Sequence, residues 1–317
     1  MKILANDGIS QNAIEILTKA GYNVITTKVS QNQLIDFINK EDIKILLVRS
    51  ATQARKDLID ACPSLKLIGR GGVGMDNIDV KYAQEKGIKV INTPNASSDS
   101  VAELVFAHLF SGVRFLYDSN RNMPLEGDTL FSELKKKYAK GKELQGKTLG
   151  IIGIGRIGKS VARIALGLGM KVITYDPHHQ GVTITLSFFD GRFLDFDIPN
   201  VSKEDLLKSS DFITLHVPSQ KEPIIGEKEF NLMKDGAGII NLARGGVVDE
   251  KALLNALDEG KVAFAGLDVY ENEPTPSIKI LMHPNVSLSP HIGAATLEAQ
   301  DRIGEELASL IIDYFKN

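Results

Sequence analysis

The chain has 317 residues, 43% of them apolar, which suits two domains with their own cores and excludes a disordered or fibrous protein. Lys plus Arg number 37 against 40 for Asp plus Glu; the formal charge of -3 gives no general field to draw nucleic acid or an anionic membrane, so small-molecule chemistry is expected. A single cysteine, Cys62, excludes an internal disulfide and a CxxC metal site, and with no apolar stretch long enough to span a bilayer a cytoplasmic protein without metal is expected.

From the N-terminus, residues 2–5 read as a strand, Ser10 as an N-cap, Ala13, Ile14 and Leu17 as one helix face, and Gly21 as the stop. Strand-like runs follow at 24–26, 45–48, 67–69 and 89–92 with helical or loop segments between them, a βα alternation that implies parallel sheets. After the break at Thr93-Pro94-Asn95, residues 97–116 read as one long, mostly apolar helix, and the domain crossing is placed there. Six further strands are expected at 148–152, 171–175, 212–217, 238–241, 264–266 and 286–289, which suits a doubly wound dinucleotide-type fold. The last helix, about residues 296–315, then packs most economically on the first unit. The expectation is therefore an α/β protein of two parallel-sheet domains, Rossmann-like or flavodoxin-like, the first discontinuous: 1–94 plus 291–317, and 95–290.

Residues 135–147 hold six lysines, but they are flanked by Glu133 and Glu143 and lack interleaved arginine, so a solvated linker is expected rather than a nucleic-acid surface. Residues 181–200 carry phenylalanines on either side of Asp190-Gly191 and read as an inserted hairpin or an irregular lobe.

Gly153-Ile154-Gly155-Arg156-Ile157-Gly158 follows a strand and opens a helix, so its backbone amides can meet a pyrophosphate. The same stretch, read on to Ser160, also satisfies the phosphate-loop pattern GxxxxGK[ST]. Helical phase separates the two. Ile157, Val161, Ile164, Ala165 and Leu168 share one apolar face, so the helix starts near Gly155 rather than near Lys159. Asp176 ends the next strand, 18 residues after Gly158, where a carboxylate can accept from an adenosine ribose and repel a 2'-phosphate. NAD is expected over NADP.

Three later segments place polar groups where strands of such a fold end: Arg244 after Asn241, Asp268 with Glu273 past the sixth strand, and His291 before the last helix. Each alone has a plain reading, such as Arg244 pairing with Asp249. Together they suit alcohol oxidation, in which a histidine takes the hydroxyl proton, a carboxylate fixes its tautomer, and a guanidinium holds a substrate carboxylate.

The runs 150–158, Asn-x-Ala-Arg-Gly-Gly-x-Val-Asp from Asn241, Asp-Val-Tyr-x-x-Glu-Pro from Asp268, and Pro-His-Ile-Gly-Ala from Pro290 resemble the D-2-hydroxyacid dehydrogenase family over essentially the whole chain. The stretches 48–52, 69–79 and 92–95 are similar to its phosphoglycerate dehydrogenases. The resemblance implies Arg244, Glu273 and His291 as catalytic residues, with His291 the acid/base. It implies cofactor contacts from Val73, Gly153, Gly155, Arg156, Ile157, Gly158, Asp176, Val217, Leu242, Ala243, Asp268 and Gly293. Arg49, Ser50, Arg70, Val73, Gly74 and Arg244 would hold the substrate, the two N-terminal-domain arginines meeting its phosphate. A homodimer built on the 97–116 helix is also implied. The chain departs from the family in ending at Asn317, without a serine-sensing domain, in lacking a tryptophan before the cofactor domain, and in its longer 181–200 segment. A glyoxylate, hydroxypyruvate or D-lactate-type reductase and an NAD-sensing co-repressor-like module are the competing readings.

Overall fold

The structure, a computed structural model, describes residues 1–316. The chain divides into two compact units, residues 1–98 with 294–317, and residues 99–293.

In the first unit β1 (Lys2–Ala5), α1 (Gln11–Lys19), β2 (Asn23–Ile25), α2 (Leu34–Glu41), β3 (Ile45–Val48), α3 (Lys56–Ala61), β4 (Leu67–Arg70), α4 (Val80–Glu85) and β5 (Lys89–Asn92) alternate. The strands form one parallel sheet of order β2-β1-β3-β4-β5. Successive side chains of a strand point to opposite faces, and here both faces are apolar because helices cover both. Ile3, Ile45, Leu47 and Leu67 pack with Leu17 and with Ile303, Leu307 and Ile311 of the closing helix (Leu297–Lys316). Leu4, Leu46, Val48 and Ile68 pack on the other side with Leu34, Ile38 and Leu58. Cys62 lies in that second layer, and burial pushes its thiol up to about 11.

The second unit contains α5 (Ser98–Val113), α6 (Leu116–Glu126), α7 (Phe131–Lys137), β6 (Thr148–Ile152), α8 (Arg156–Gly167), β7 (Lys171–Tyr175), β8 (Gly181–Ser187), β9 (Phe193–Pro199), α9 (Lys203–Ser209), β10 (Phe212–Leu215), α10 (Glu227–Leu232), β11 (Ala237–Asn241), α11 (Glu250–Asp258), β12 (Val262–Leu267), α12 (Ile278–Met282) and β13 (Val286–Leu288); α13 is the closing helix of the first unit. Its six parallel strands run β13-β12-β11-β10-β6-β7. Leu149, Ile151, Phe212, Ile240 and Phe264 meet α5 and α8 on one face, while Ile213, Leu215, Ile239 and Leu267 meet α9 to α11 on the other.

Three expectations need correction. The helix expected over 97–116 stops at Val113: Phe115 takes a left-handed φ of 57°, and the Lys142 N–H caps the Val113 carbonyl at 2.9 Å before α6 restarts. The crossings between units fall a few residues later than expected, because the Ile292 and Gly293 N–H groups donate to Asp268 and so keep His291 to Gly293 with the second unit. Lys135, Lys136 and Lys137, expected in a linker, form the last turn of α7. Residues 181–200 do form a hairpin, β8 with β9, turning at Gly191. Among the described residues no helix is long and apolar enough to cross a membrane.

Candidate active site

Parallel strands put all their carboxyl ends on one side, and a crevice opens where the strand order reverses. In the second unit that point lies between β6 and β10. At the end of β6, Gly153 has φ 93°, and a Cβ there would sit 2.5 Å from the His216 carbonyl oxygen. A Cβ on Gly158 would sit 2.2 Å from the Gly153 carbonyl oxygen, so these two positions admit only glycine. Gly155 is the opposite case, with nothing within 4 Å of where its Cβ would be. It is the N-cap of α8, with extended backbone and no side-chain cap on the first-turn amides. The helix starts at Arg156, which removes the phosphate-loop reading and leaves Ile157 half-buried on the apolar face.

Asp176 follows β7 and is bound to the glycine loop itself. Its Oδ2 accepts the Ile154 N–H at 3.0 Å and its Oδ1 the His178 N–H at 2.9 Å. Asn200, where the hairpin returns, clips the same residue by accepting the Asp176 N–H at 2.8 Å and donating to its carbonyl at 3.0 Å. The inserted hairpin thus leaves and rejoins the sheet at this acid. Beyond β10, Val217 lines the loop, 3.0 Å from where a Gly153 Cβ would be, and burial pushes the neighbouring His216 imidazole down to about 3, keeping it neutral. The open cradle at Gly155, the bare helix terminus and the acid at the next strand end fit a dinucleotide.

Past β11 the Asn241 side chain folds the chain back, accepting from the Ala243 N–H at 3.1 Å and donating to the Arg244 carbonyl at 3.0 Å. Leu242 and Ala243 are buried by that turn, while Arg244 is half-buried with its Nη1 donating to the Ala243 carbonyl at 2.7 Å. Gly245 lies flat against the segment after β12, since a Cβ there would reach within 1.8 Å of the Tyr270 carbonyl oxygen. In that segment Glu273 accepts the Tyr270 N–H on Oε1 at 3.0 Å, and its Oε2 is 2.8 Å from His291 Nδ1. His291 has φ 56° and is exposed. Beside the pair is a cavity of about 390 Å³ whose walls include Tyr270, Pro274, Leu288 and Pro290. Asp268 is buried, with both carboxylate oxygens receiving hydrogen bonds from the His291 loop, including the Gly293 N–H.

The first unit has its own switch point, between β1 and β3, where Arg49 and Ser50 leave β3. Asp7 holds the turn by accepting the Arg49 N–H at 2.7 Å and the Thr52 N–H at 3.0 Å, and Asn77 donates to the Arg49 carbonyl at 2.8 Å. Arg70 ends β4. Its guanidinium lies against the following loop, so closely that a Cβ on Gly72 would be 1.8 Å from Nη1. Val73 is exposed in that loop, Gly74 follows it, and Asn92 donates to the Val73 carbonyl at 2.8 Å. Sequence reading overlooked Asp7 and Asn77, which act on backbone groups and belong to no pattern of catalytic spacing. It also overlooked His108, whose ring contacts Ser287 and Ser289.

Residues 106–293 match the family model for the NAD binding domain of D-isomer specific 2-hydroxyacid dehydrogenases. The chain belongs to that family. A hydroxypyruvate reductase of Thermotoga maritima is 43% identical over 316 residues, covering 98% of this chain and 97% of the relative. A D-3-phosphoglycerate dehydrogenase of Methanocaldococcus jannaschii is 42% identical over 98% of this chain, which spans 57% of that relative's length. Among solved structures, the D-lactate dehydrogenase of Aquifex aeolicus, complexed with NAD and lactic acid, is 31% identical with a TM-score of 0.75, covering 100% of this chain and 96% of the other. This dehydrogenase is thus an NAD-binding oxidoreductase with two parallel-sheet domains.

Proposed function

We propose that the protein oxidises D-3-phosphoglycerate to 3-phosphohydroxypyruvate, the entry step of serine synthesis. The observation that supports the substrate is the position of Arg49, just past the end of β3, beside Arg70, which pairs with Val48 at the end of the neighbouring β4 and lies on its own glycine loop, since guanidiniums beside backbone amides suit a phosphate. The Methanocaldococcus jannaschii relative carries that activity in its name.

His291 is the proton carrier in this reading. With Nδ1 tied to Glu273, Nε2 takes the hydroxyl proton as the C2 hydride departs and the carbonyl forms. Glu273 holds the ring's tautomer, and Arg244 holds the substrate carboxylate with its fork of donors. NAD, when bound, supplies the hydride acceptor. Gly153, Gly155, Arg156, Ile157 and Gly158 would hold its pyrophosphate and Asp176 its ribose, with Val217, Leu242, Ala243, Asp268 and Gly293 as further contacts. Asp176 favours NAD over NADP.

A second reading, hydroxypyruvate reduction, is favoured by the Thermotoga maritima relative, which this chain matches along nearly its whole length. Initial rates of NADH-linked reduction of 3-phosphohydroxypyruvate, hydroxypyruvate, glyoxylate and pyruvate separate the two: a preference for an unphosphorylated acid selects the second. The proposal extends to a homodimer, supported by Phe110, Leu116, Leu125 and Phe131, all exposed on and after α5. Sedimentation velocity tests it, a monomer at micromolar concentration overturning it.

A further inference from the structure

His108 lies within the apolar run 104–110 of α5 and is buried. Both its ring nitrogens are engaged: Nδ1 is 2.8 Å from Ser287 Oγ and Nε2 is 2.9 Å from Ser289 Oγ. Gly266 makes the room, since a Cβ there would sit 2.7 Å from His108 Cβ. Ser289 Oγ in turn donates to Asp268 Oδ1 at 2.5 Å. Asp268 Oδ1 also accepts the Ile292 N–H at 2.8 Å, and Oδ2 the Gly293 N–H at 2.8 Å.

We propose that His108 is a positioning residue which, through Ser289 and Asp268, fixes the loop that carries His291. Proton counting gives this chain a direction. Backbone N–H groups can only donate, so Asp268 is an acceptor on both oxygens. The single Ser289 hydroxyl proton goes to Asp268, so toward His108 that oxygen accepts. His108 therefore carries its proton on Nε2, and its bare Nδ1 accepts from the Ser287 hydroxyl. Burial holds the His108 pKa below the usual imidazole range despite the nearby Asp268 charge, consistent with a neutral ring. Every hydrogen bond then runs one way, from Ser287 through His108 and Ser289 to Asp268.

The acceptor end of the chain grips the residues on both sides of His291. Ser289 is held before it, with its carbonyl also accepting from the Tyr270 hydroxyl at 2.9 Å, and Ile292 and Gly293 are held after it. Between them His291 is in the left-handed region, at φ 56°, a conformation a non-glycine residue keeps only when its surroundings impose it. An aliphatic residue at 108 would suit the helix but would leave the buried Ser287 and Ser289 hydroxyls short of a partner.

This inference rests on the reading of His291 as the proton carrier, and one measurement is independent of it. Nitrogen-15 spectra of the histidine side chains in the whole protein at neutral pH, free and with NAD, should show His108 uncharged with its proton on Nε2. A proton on Nδ1 alone, or a doubly protonated ring, overturns the proposal. His108→Leu should lower kcat about tenfold for the faster of hydroxypyruvate and 3-phosphohydroxypyruvate, with KM for that substrate changed far less. His108→Gln, whose amide can still donate to Ser289, should recover most of the loss. An unchanged kcat in His108→Leu, or a Gln variant no better than Leu, overturns it. A His291→Ala enzyme of normal turnover would instead remove the reading of His291 while leaving the His108 spectrum as stated.

Discussion

His291 Nδ1 lies 2.8 Å from Glu273 Oε2, and the other oxygen of that carboxylate is held by the Tyr270 N–H at 3.0 Å. The imidazole is thus oriented by a group that is itself oriented by the main chain, and one ring nitrogen is left for chemistry.

His291→Ala should lower kcat by roughly 10²- to 10⁴-fold, the span typical of a removed acid/base, while NAD binding changes far less. Glu273→Gln keeps the shape but replaces a charged acceptor by a neutral amide, so kcat should fall less than for His291→Ala. Stopped-flow hydride transfer with both variants reads this directly. Near-normal turnover in His291→Ala means that another group moves the proton.

Cofactor choice should follow Asp176. Because its carboxylate is anchored to the Ile154 and His178 N–H groups, it cannot swing away from an incoming 2'-phosphate without losing both bonds. Wild-type kcat/KM should favour NAD strongly over NADP. Asp176→Asn, which loses the charge and keeps an acceptor, should narrow the ratio by about ten- to a hundred-fold, the scale of a relieved like-charge contact. Asp176→Ala should narrow it too but also weaken NAD, because the loop loses its anchor. A wild type indifferent to the phosphate contradicts the assignment.

The elements that could be read in the sequence are those whose pattern is local. The phase of Ile157, Val161 and Ala165 gave the start of α8 to within a residue, and Asp190-Gly191 marked the hairpin turn. The break after Val113 was hidden because its cause is distant: the carbonyl at the helix end is capped by Lys142, and the reversal uses Phe115, a residue with no special preference for φ above zero. His108 was hidden for the same reason. A lone histidine on an apolar helix gives no sign that its partners are serines 179 and 181 positions later. Arg244, Glu273 and His291 drew attention because strand ends in a doubly wound sheet collect polar groups; β11, β12 and β13 are neighbours in that sheet, and the structure joins Glu273 to His291 at 2.8 Å.

Acid stability should carry the mark of His216. Burial lowers its folded pKa to about 3, against about 6.5 in an unfolded chain. Between those values the unfolded state binds a proton that the folded state does not, so stability falls as pH drops through that window and is insensitive to this group above it. His108, also lowered by burial, acts with the same sign. In His216→Asn, with no titrating ring, the decline of Tm from about pH 6.5 to 4.5 should be shallower than in the wild type. Parallel curves across that range would show that His216 gains its proton without unfolding.

The substrate turns on Arg49 and Arg70, and the decisive property is selectivity rather than loss. A phosphate gains charge-assisted hydrogen bonds from each guanidinium, worth about 1.5 to 3 kcal/mol apiece, or roughly ten- to a hundred-fold in kcat/KM. Hydroxypyruvate, which presents a hydroxyl at the same position, gains little from them. Arg49→Ala and Arg70→Ala should therefore depress reduction of 3-phosphohydroxypyruvate by that factor while leaving hydroxypyruvate nearly untouched. The backbone at Arg49 is fixed by Asp7 and Asn77 through main-chain groups, so truncating its side chain leaves the turn in place. Arg70 is less clean, because its guanidinium packs on Gly72 and its removal can loosen the loop. Arg70→Lys provides the control: it restores a charge but not the fork, and should recover only part of the phosphate preference. Equal losses on both substrates would make the arginines structural and favour the hydroxypyruvate reading.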